Sequence, residues 1–120
     1  GIRTLLVSGG FTFFTERLKQ RLALDYTLAN ELEIGDGKLT GRVSGAIVDA
    51  AAKAARVAEL RHALGLARNQ TLAIGDGAND LPMMQEAGVS VAWRAKPVVR
   101  AAATHALDHS GLDAVLNFFA

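Results

Sequence analysis

In the segment Thr71-Leu72-Ala73-Ile74-Gly75-Asp76-Gly77-Ala78-Asn79-Asp80-Leu81-Pro82-Met83, a short apolar run leads into a glycine-rich acidic turn. Residues 71–74 predict a buried strand, and the residues from about 79 to 87 predict a helix. Strand, turn and helix in this order are the unit of an α/β fold, whose ligands bind at the carboxyl ends of the strands. We therefore expect a binding site at the turn.

Around this segment the chain alternates between short apolar runs and longer amphipathic segments. The spacing predicts strands over 4–7, 71–74, 89–92 and 105–107, a hairpin over 29–34 and 39–43, and helices over 11–22, 49–64, 79–87, from Pro97 and over 112–119. This alternation predicts a parallel sheet with helices on both faces. With 120 residues and no linker-like tract, the chain is expected to belong to one three-layer, Rossmann-like α/β domain, without a second domain.

The composition excludes several classes of protein. Half of the residues are hydrophobic and 21% are charged, which excludes a disordered tail. The net charge is +1 and no basic block occurs, so nucleic acid is not an expected partner. No run approaches the roughly 20 apolar residues of a membrane span, and no leader pattern occurs, so we expect a cytoplasmic protein without a membrane partner. The absence of cysteine excludes disulfides, thiolate nucleophiles and cysteine-ligated zinc.

Asp76 and Asp80 are the candidate metal-binding residues, four positions apart in the acidic turn. Two carboxylates at close range repel each other, and both stay ionised at low cost only beside a cation. Oxygen ligands without cysteine or histidine favour Mg²⁺ over zinc. The alternative is that Asp80 or Asn79 only caps the following helix.

A second Gly-Asp-Gly sequence provides an internal comparison. Gly35-Asp36-Gly37 lies between the two strands of the predicted hairpin and lacks the following Asn and Asp. Glycine and aspartate in that setting are typical of a turn. The three-residue sequence therefore indicates a site only where a strand precedes it and a helix follows it.

Ser8-Gly9-Gly10 forms another polar turn, where the first predicted strand ends and a helix is expected to begin. Its main-chain N–H groups and its hydroxyl could bind an anion at the N-terminus of that helix. The alternative is a serine that caps the helix, followed by glycines that permit the turn.

Lys53 lies on the apolar face of its predicted helix. At 100° per residue, Lys53 shares that face with Val57, Leu60 and Leu64. A lysine that is directed inward needs an anionic partner, either a carboxylate or a bound phosphate. The alternative is that the side chain extends past the end of the helix into solvent.

Together these elements resemble the haloacid dehalogenase (HAD) superfamily and, within it, the phosphoserine phosphatases. The resemblance covers nearly the whole chain and is carried by Val7-Ser8-Gly9-Gly10-Phe11, Ala29-Asn30-Glu31-Leu32, Leu39-Thr40-Gly41, Lys53, Ala73-Ile74-Gly75-Asp76-Gly77-Ala78-Asn79-Asp80-Leu81-Pro82-Met83 and Ala95-Lys96-Pro97. It implies a HAD-like core and a Mg²⁺-dependent hydrolase that releases L-serine and phosphate from phosphoserine.

The resemblance also implies a covalent mechanism. In that family an aspartate on the first strand attacks the phosphorus to form an aspartyl-phosphate. A second aspartate two residues later acts as general acid and then as general base. Carried over by position, Ser8 and the Gly9 amide would bind the phosphoryl group, and Lys53 would neutralise the charge shared by nucleophile and phosphate.

The remaining roles that the resemblance implies fall on the acidic turn. Asp76 would ligate Mg²⁺, and Asn79 would contact the substrate. Asp80 would act with Lys53 as a catalytic residue, supporting the metal and the lysine. Positioning and charge neutralisation of this kind do most of the catalytic work in phosphoryl transfer.

The first motif of the family is absent from these residues. No Asp-x-Asp occurs in the 120 residues, and the helical cap that follows this motif in the family is also missing. We therefore expect the C-terminal part of a HAD-like core domain, with a sheet that lacks its central N-terminal strand. The missing N-terminal segment or a second copy is the expected partner, and the chain alone is expected to be inactive.

Two other functions remain open from the sequence. A HAD phosphatase for another small phosphomonoester has the same motifs, because the missing cap sets substrate specificity in the family. A non-catalytic module that binds Mg²⁺ or phosphate, or that regulates a complete copy, also fits a chain without the nucleophile.

Overall fold

The computed structural model describes residues 1–119, which fall into two compact units, Gly1–Lys53 and the residues from Ala54 onward. The first unit contains strand β1 (Leu5–Phe11), helix α1 (Thr12–Leu22) and strands β2 (Tyr26–Gly35) and β3 (Lys38–Ser44). Helix α2 (Ala50–Ala63) begins in the first unit and ends in the second. The second unit continues with β4 (Leu72–Gly75), α3 (Leu81–Gln85), β5 (Val89–Trp93), α4 (Pro97–Ala102) and β6 (His105–Leu107).

The first unit contains a mixed three-stranded sheet in the order β1-β2-β3. β1 and β2 are parallel, whereas β2 and β3 form the predicted antiparallel hairpin. Its two-residue turn has φ values of +50° at Asp36 and +74° at Gly37. Positive φ at both central residues is the requirement of a type I′ hairpin turn. The prediction that this Gly-Asp-Gly is only a turn is therefore confirmed.

β1 and α1 differ from the sequence-based expectation. Leu5, Leu6 and Val7 are half-buried rather than buried, because β1 lies at an edge of its sheet and pairs only with β2. The apolar face of α1 is exposed, with Phe14 61% and Leu22 60% exposed. Periodicity identifies an apolar face, but it does not supply the segment that covers it.

The second unit contains the parallel sheet that the sequence predicts, in the order β4-β5-β6. Val91 in β5 and Val99 in α4 are fully buried. Ser90 and Thr104 join the ends of β5 and α4, because each main-chain N–H donates to the hydroxyl of the other residue. An α/β arrangement with three parallel strands is thus confirmed for this unit.

Two predicted helices differ from those observed. The residues after the acidic turn form a short 3₁₀ helix, Ala78–Asp80, before α3 begins at Leu81. The predicted C-terminal α-helix is a 3₁₀ helix, Leu112–Phe118. No helix within residues 1–119 is both long and apolar enough to cross a membrane.

The carboxylate of Asp25 fastens the start of β2 to the segment before β1. It accepts hydrogen bonds from the N–H and hydroxyl of Thr4, at 2.8 and 3.0 Å, and from the guanidinium of Arg3 at 3.0 Å. The Thr4 N–H, followed by these side-chain hydrogen bonds, lowers the pKa of Asp25 below its ordinary value of 3.8.

We expect Asp25→Asn to lower the melting temperature modestly at neutral pH. The lowered pKa means that the carboxylate stabilises the fold above the ordinary value of 3.8, and that this stabilisation is lost as the pH falls through the folded-state pKa. Melting curves of the chain and the variant should therefore converge in acid. A constant difference between the two at every pH would contradict this assignment.

Candidate active site

The acidic turn at the carboxyl end of β4 is organised by the carboxylate of Asp80. Its Oδ2 accepts hydrogen bonds from the N–H groups of Asp76 at 3.2 Å and Gly77 at 3.4 Å. Asp80 is 8% exposed, whereas Asp76 is exposed. Gly75 cannot carry a side chain here, because its Cβ would lie 2.6 Å from the Cβ of Asp80. The turn therefore buries one carboxylate beneath the main chain and presents the other outward.

The Asp80 carboxylate caps the short 3₁₀ helix Ala78–Asp80 by accepting the N–H of Gly77, the N-cap residue, but it does not cap α3. Asp80 occupies the position before α3, but its side chain makes no capping hydrogen bond to that helix. The carboxylate instead reaches back to the N–H groups that precede it. Asn79 lies exposed in the same turn. The structure thus brings Asp76, Asn79 and Asp80 together in one loop of the second unit.

The loop between β5 and α4 contacts the acidic turn through the main chain. The N–H of Lys96 donates to the carbonyl oxygen of Asp76 at 3.3 Å. Arg94, two residues earlier, has φ +45° and donates its N–H to the carbonyl of Leu107 at 2.8 Å. The sequence analysis used Ala95-Lys96-Pro97 for the resemblance but gave this loop no role at the site, because its contact to the acidic turn uses main-chain atoms.

The prediction of a polar turn over Ser8–Gly10 is wrong, because these residues lie in the last part of strand β1 in the first unit. Ser8 belongs to β1, and α1 begins at Thr12 after an N-cap at Phe11. The alternative that Ser8 caps the helix is therefore wrong, because the strand continues for three residues beyond it. Its Oγ accepts a hydrogen bond from the Gly10 N–H at 2.9 Å, while Gly9 is exposed.

Lys53 is buried in α2, with 6% of its surface exposed. Val57, one turn further along, is buried as well. This confirms that Lys53 is on the inward face, and the alternative of a side chain that extends into solvent is wrong. Asp49 caps the helix, since its Oδ1 accepts the Ala52 N–H at 2.8 Å.

The residues present fit one part of a magnesium site. Mg²⁺ prefers oxygen ligands and is usually held by one or two carboxylates together with water. Asp76 offers an exposed carboxylate in a turn without cysteine or histidine. Within residues 1–119 no group of three histidine, cysteine or acidic residues could hold a metal ion.

The α/β fold with an acidic turn at the end of a parallel strand is matched by a known family of hydrolases. The family model for haloacid dehalogenase-like hydrolases matches residues 1–85 of this chain. The chain therefore belongs to the haloacid dehalogenase-like hydrolase family. The resemblance inferred from the motifs and the predicted HAD-like fold are both confirmed.

Phosphoserine phosphatases are among the relatives that match this chain in sequence. The enzyme of Albidiferax ferrireducens is 51% identical over 99% of this chain, which covers 52% of that protein. The enzyme of Streptomyces coelicolor is 53% identical over 97% of this chain, which covers 28% of that protein. The chain thus spans about half the length, or less, of these relatives.

Solved structures lead to the same group of enzymes. A probable phosphoserine phosphatase of Vibrio cholerae superposes with a TM-score of 0.91 and 46% identity, over 95% of this chain and 35% of that one. A substrate-bound phosphoserine phosphatase superposes with a TM-score of 0.89 and 36% identity, over 97% of this chain and 55% of that one. The observed fold is therefore that of a region of such enzymes.

Proposed function

We propose that this chain is the C-terminal part of the HAD-like core of a phosphoserine phosphatase. The observation that carries this proposal is the acidic turn, in which Asp80 holds the main chain and Asp76 is presented outward. High identity to phosphoserine phosphatases over almost the whole chain supports the substrate. The activity belongs to serine biosynthesis, and we propose that the protein is cytoplasmic.

In this proposal the first unit binds the phosphoryl group. The Ser8 hydroxyl and the Gly9 N–H donate hydrogen bonds to its oxygens, and the Lys53 ammonium balances their negative charge. These groups matter more in the transition state, when charge spreads over the phosphoryl oxygens and the site must offset it. Burial strengthens the effect of Lys53, because a charge in a low-dielectric environment is weakly screened.

The acidic turn takes the metal-binding and substrate-binding roles. Asp76 would hold Mg²⁺, which when bound neutralises phosphoryl charge. Asn79 contacts the substrate, and Asp80 keeps the Asp76 and Gly77 N–H groups in place. An aspartate carboxylate from outside this chain attacks the phosphorus and forms an aspartyl-phosphate. The bond between phosphorus and the serine oxygen breaks, and that oxygen takes a proton as serine leaves. Water then hydrolyses the aspartyl-phosphate and releases phosphate.

The proposed partner is the N-terminal segment of a longer protein, or a second copy in its place. Within residues 1–119, β1 and β4 each pair with one strand only and so present an open edge. Open strand edges carry unpaired N–H and C=O groups that favour pairing with another strand. The exposed apolar face of α1 supports the same proposal, since surfaces of this kind mark contact sites.

We expect the chain alone to release no phosphate from phosphoserine in the presence of Mg²⁺. Activity should appear when the chain is joined to the part of the Albidiferax relative that this chain does not cover. We call this combination the completed enzyme. The measurement is phosphate release from phosphoserine. Turnover by the chain alone, or no turnover by the completed enzyme, would contradict the proposal.

A further inference from the structure

Asn30 is the one buried residue of β2, with 6% of its surface exposed. Both ends of its side-chain amide bind main-chain groups. Its Nδ2 donates to the carbonyl of Gly9 at 2.9 Å, and its Oδ1 accepts the N–H of Val48 at 2.7 Å. The side chain thus joins two segments that are 21 and 18 residues away in the sequence.

Strand propensity does not explain why an asparagine occupies this position. Asparagine is depleted in strands, and burying its amide costs free energy unless both ends are hydrogen-bonded. An apolar residue would fill a buried strand position without that requirement. The two short hydrogen bonds therefore indicate that the amide is kept for what it holds.

One of these segments is Ser8–Gly10, the irregular last part of β1. The parallel ladder between β1 and β2 is regular from Leu5 to Val7, but its register shifts between Val7 and Phe11. The Asn30 amide donates a hydrogen bond to this irregular segment at the Gly9 carbonyl, and the Ser8 Oγ accepts the Gly10 N–H within it.

The other segment leads into α2. Val48 is buried, and the next residue, Asp49, caps the helix through the Ala52 N–H. Lys53 follows Val48 by five positions and lies in the first turns of that helix. Fixing the Val48 N–H therefore fixes the starting point of the helix that carries Lys53.

We propose that Asn30 is a positioning residue that holds the Ser8–Gly10 segment of β1 and the start of α2 in a single arrangement. It thereby sets the phosphate-binding groups of the first unit without touching phosphate itself. This inference rests on the proposed function for the identity of the bound group. The hydrogen bonds that carry it, between Asn30 and the main chain, do not depend on that function.

The test compares three variants. Asn30→Ala removes both hydrogen bonds, whereas Asn30→Asp keeps an acceptor for the Val48 N–H and places an oxygen against the Gly9 carbonyl. Thr15→Ala is the matched control, because Thr15 is buried in the same unit and its hydroxyl has no hydrogen-bond partner in the structure. Replacing Thr15 therefore disturbs packing without releasing a main-chain group.

In the completed enzyme we expect both Asn30 variants to raise the KM for phosphoserine and the inhibition constant of inorganic phosphate about tenfold, the value of one hydrogen bond. Thr15→Ala should leave both constants unchanged, even where it lowers the melting temperature as much. Unchanged constants in the Asn30 variants, with a lowered melting temperature, would reduce Asn30 to a structural role and overturn the proposal.

A second measurement uses the chain itself and needs no activity. Amide hydrogen exchange at Val48 should be about tenfold faster in Asn30→Ala than in the parent chain and in Thr15→Ala. The Gly10 amide resonance should shift in both Asn30 variants. If the completed enzyme has no phosphatase activity while these changes appear, the proposed function fails but the positioning role stands. Their absence would overturn the positioning role.

Discussion

Asp76→Asn is expected to lower phosphate release by the completed enzyme by about a hundredfold or more, the usual loss when one stabilising group of a polar site is removed. The substitution removes a negative charge and keeps the shape of the side chain. The main chain of Asp76 is held independently of that side chain, by the Asp80 carboxylate at its N–H and by the Lys96 N–H at its carbonyl. The loss should therefore reflect weaker Mg²⁺ binding rather than a displaced turn.

The matched control for this prediction is Asp36→Asn. Asp36 is also flanked by two glycines, but it lies in the hairpin turn with φ +50°, a conformation that asparagine adopts readily. We expect its activity and its Mg²⁺ dependence to match those of the parent enzyme. Initial rates over a range of Mg²⁺ concentrations separate the two variants. Equal losses in both, or full activity in Asp76→Asn, would refute the metal-binding role.

Gly88→Ala is expected to destabilise the second unit by about 3 kcal/mol, at the upper end of overpacking substitutions. A Cβ at this position would lie 2.5 Å from the carbonyl oxygen of Arg68 and 2.6 Å from the Cα of Asn69. Both are main-chain atoms, and the Gly88 N–H is already bonded to that carbonyl at 2.7 Å. The melting temperature should fall by about 10 °C or more.

Gly111→Ala provides the comparison for that prediction. A Cβ at Gly111 would lie 2.6 Å from Oδ1 of Asp113, nearly the same distance as at Gly88. This neighbour is the end of a side chain and can rotate away, so we expect little change in the melting temperature. Thermal unfolding of the two variants beside the parent chain is the measurement. Similar melting temperatures for both would show that the main-chain contact at Gly88 relaxes.

The second unit was largely predictable from the sequence, because each of its elements has a local signal. β4 and β5 are short apolar runs that begin or end at glycine, and Pro97 begins α4 in its first turn. The inward position of Lys53 followed from helical periodicity alone. Each of these features depends on residues that are close together in the chain, so a short stretch of sequence is enough to predict it.

What the sequence missed depends on contacts between distant residues. Asn30 belongs to a segment that supported the resemblance, but nothing in that segment indicates a role for the residue, because its partners lie 21 and 18 residues away. The Lys96 contact to Asp76 uses main-chain atoms, whose positions a residue pattern does not specify. The half-buried state of β1 depends on which strands pair with it. Motifs predicted the site residues, but not the groups that hold them.

The order of the strands also bears on how quickly the chain can fold. Every observed ladder joins strands that are consecutive in the sequence, β1 with β2, β2 with β3, β4 with β5 and β5 with β6. Pairing between consecutive strands limits the length of each connecting segment, which limits the entropy lost in closing it. During translation, each sheet can therefore assemble as soon as its own three strands have emerged from the ribosome.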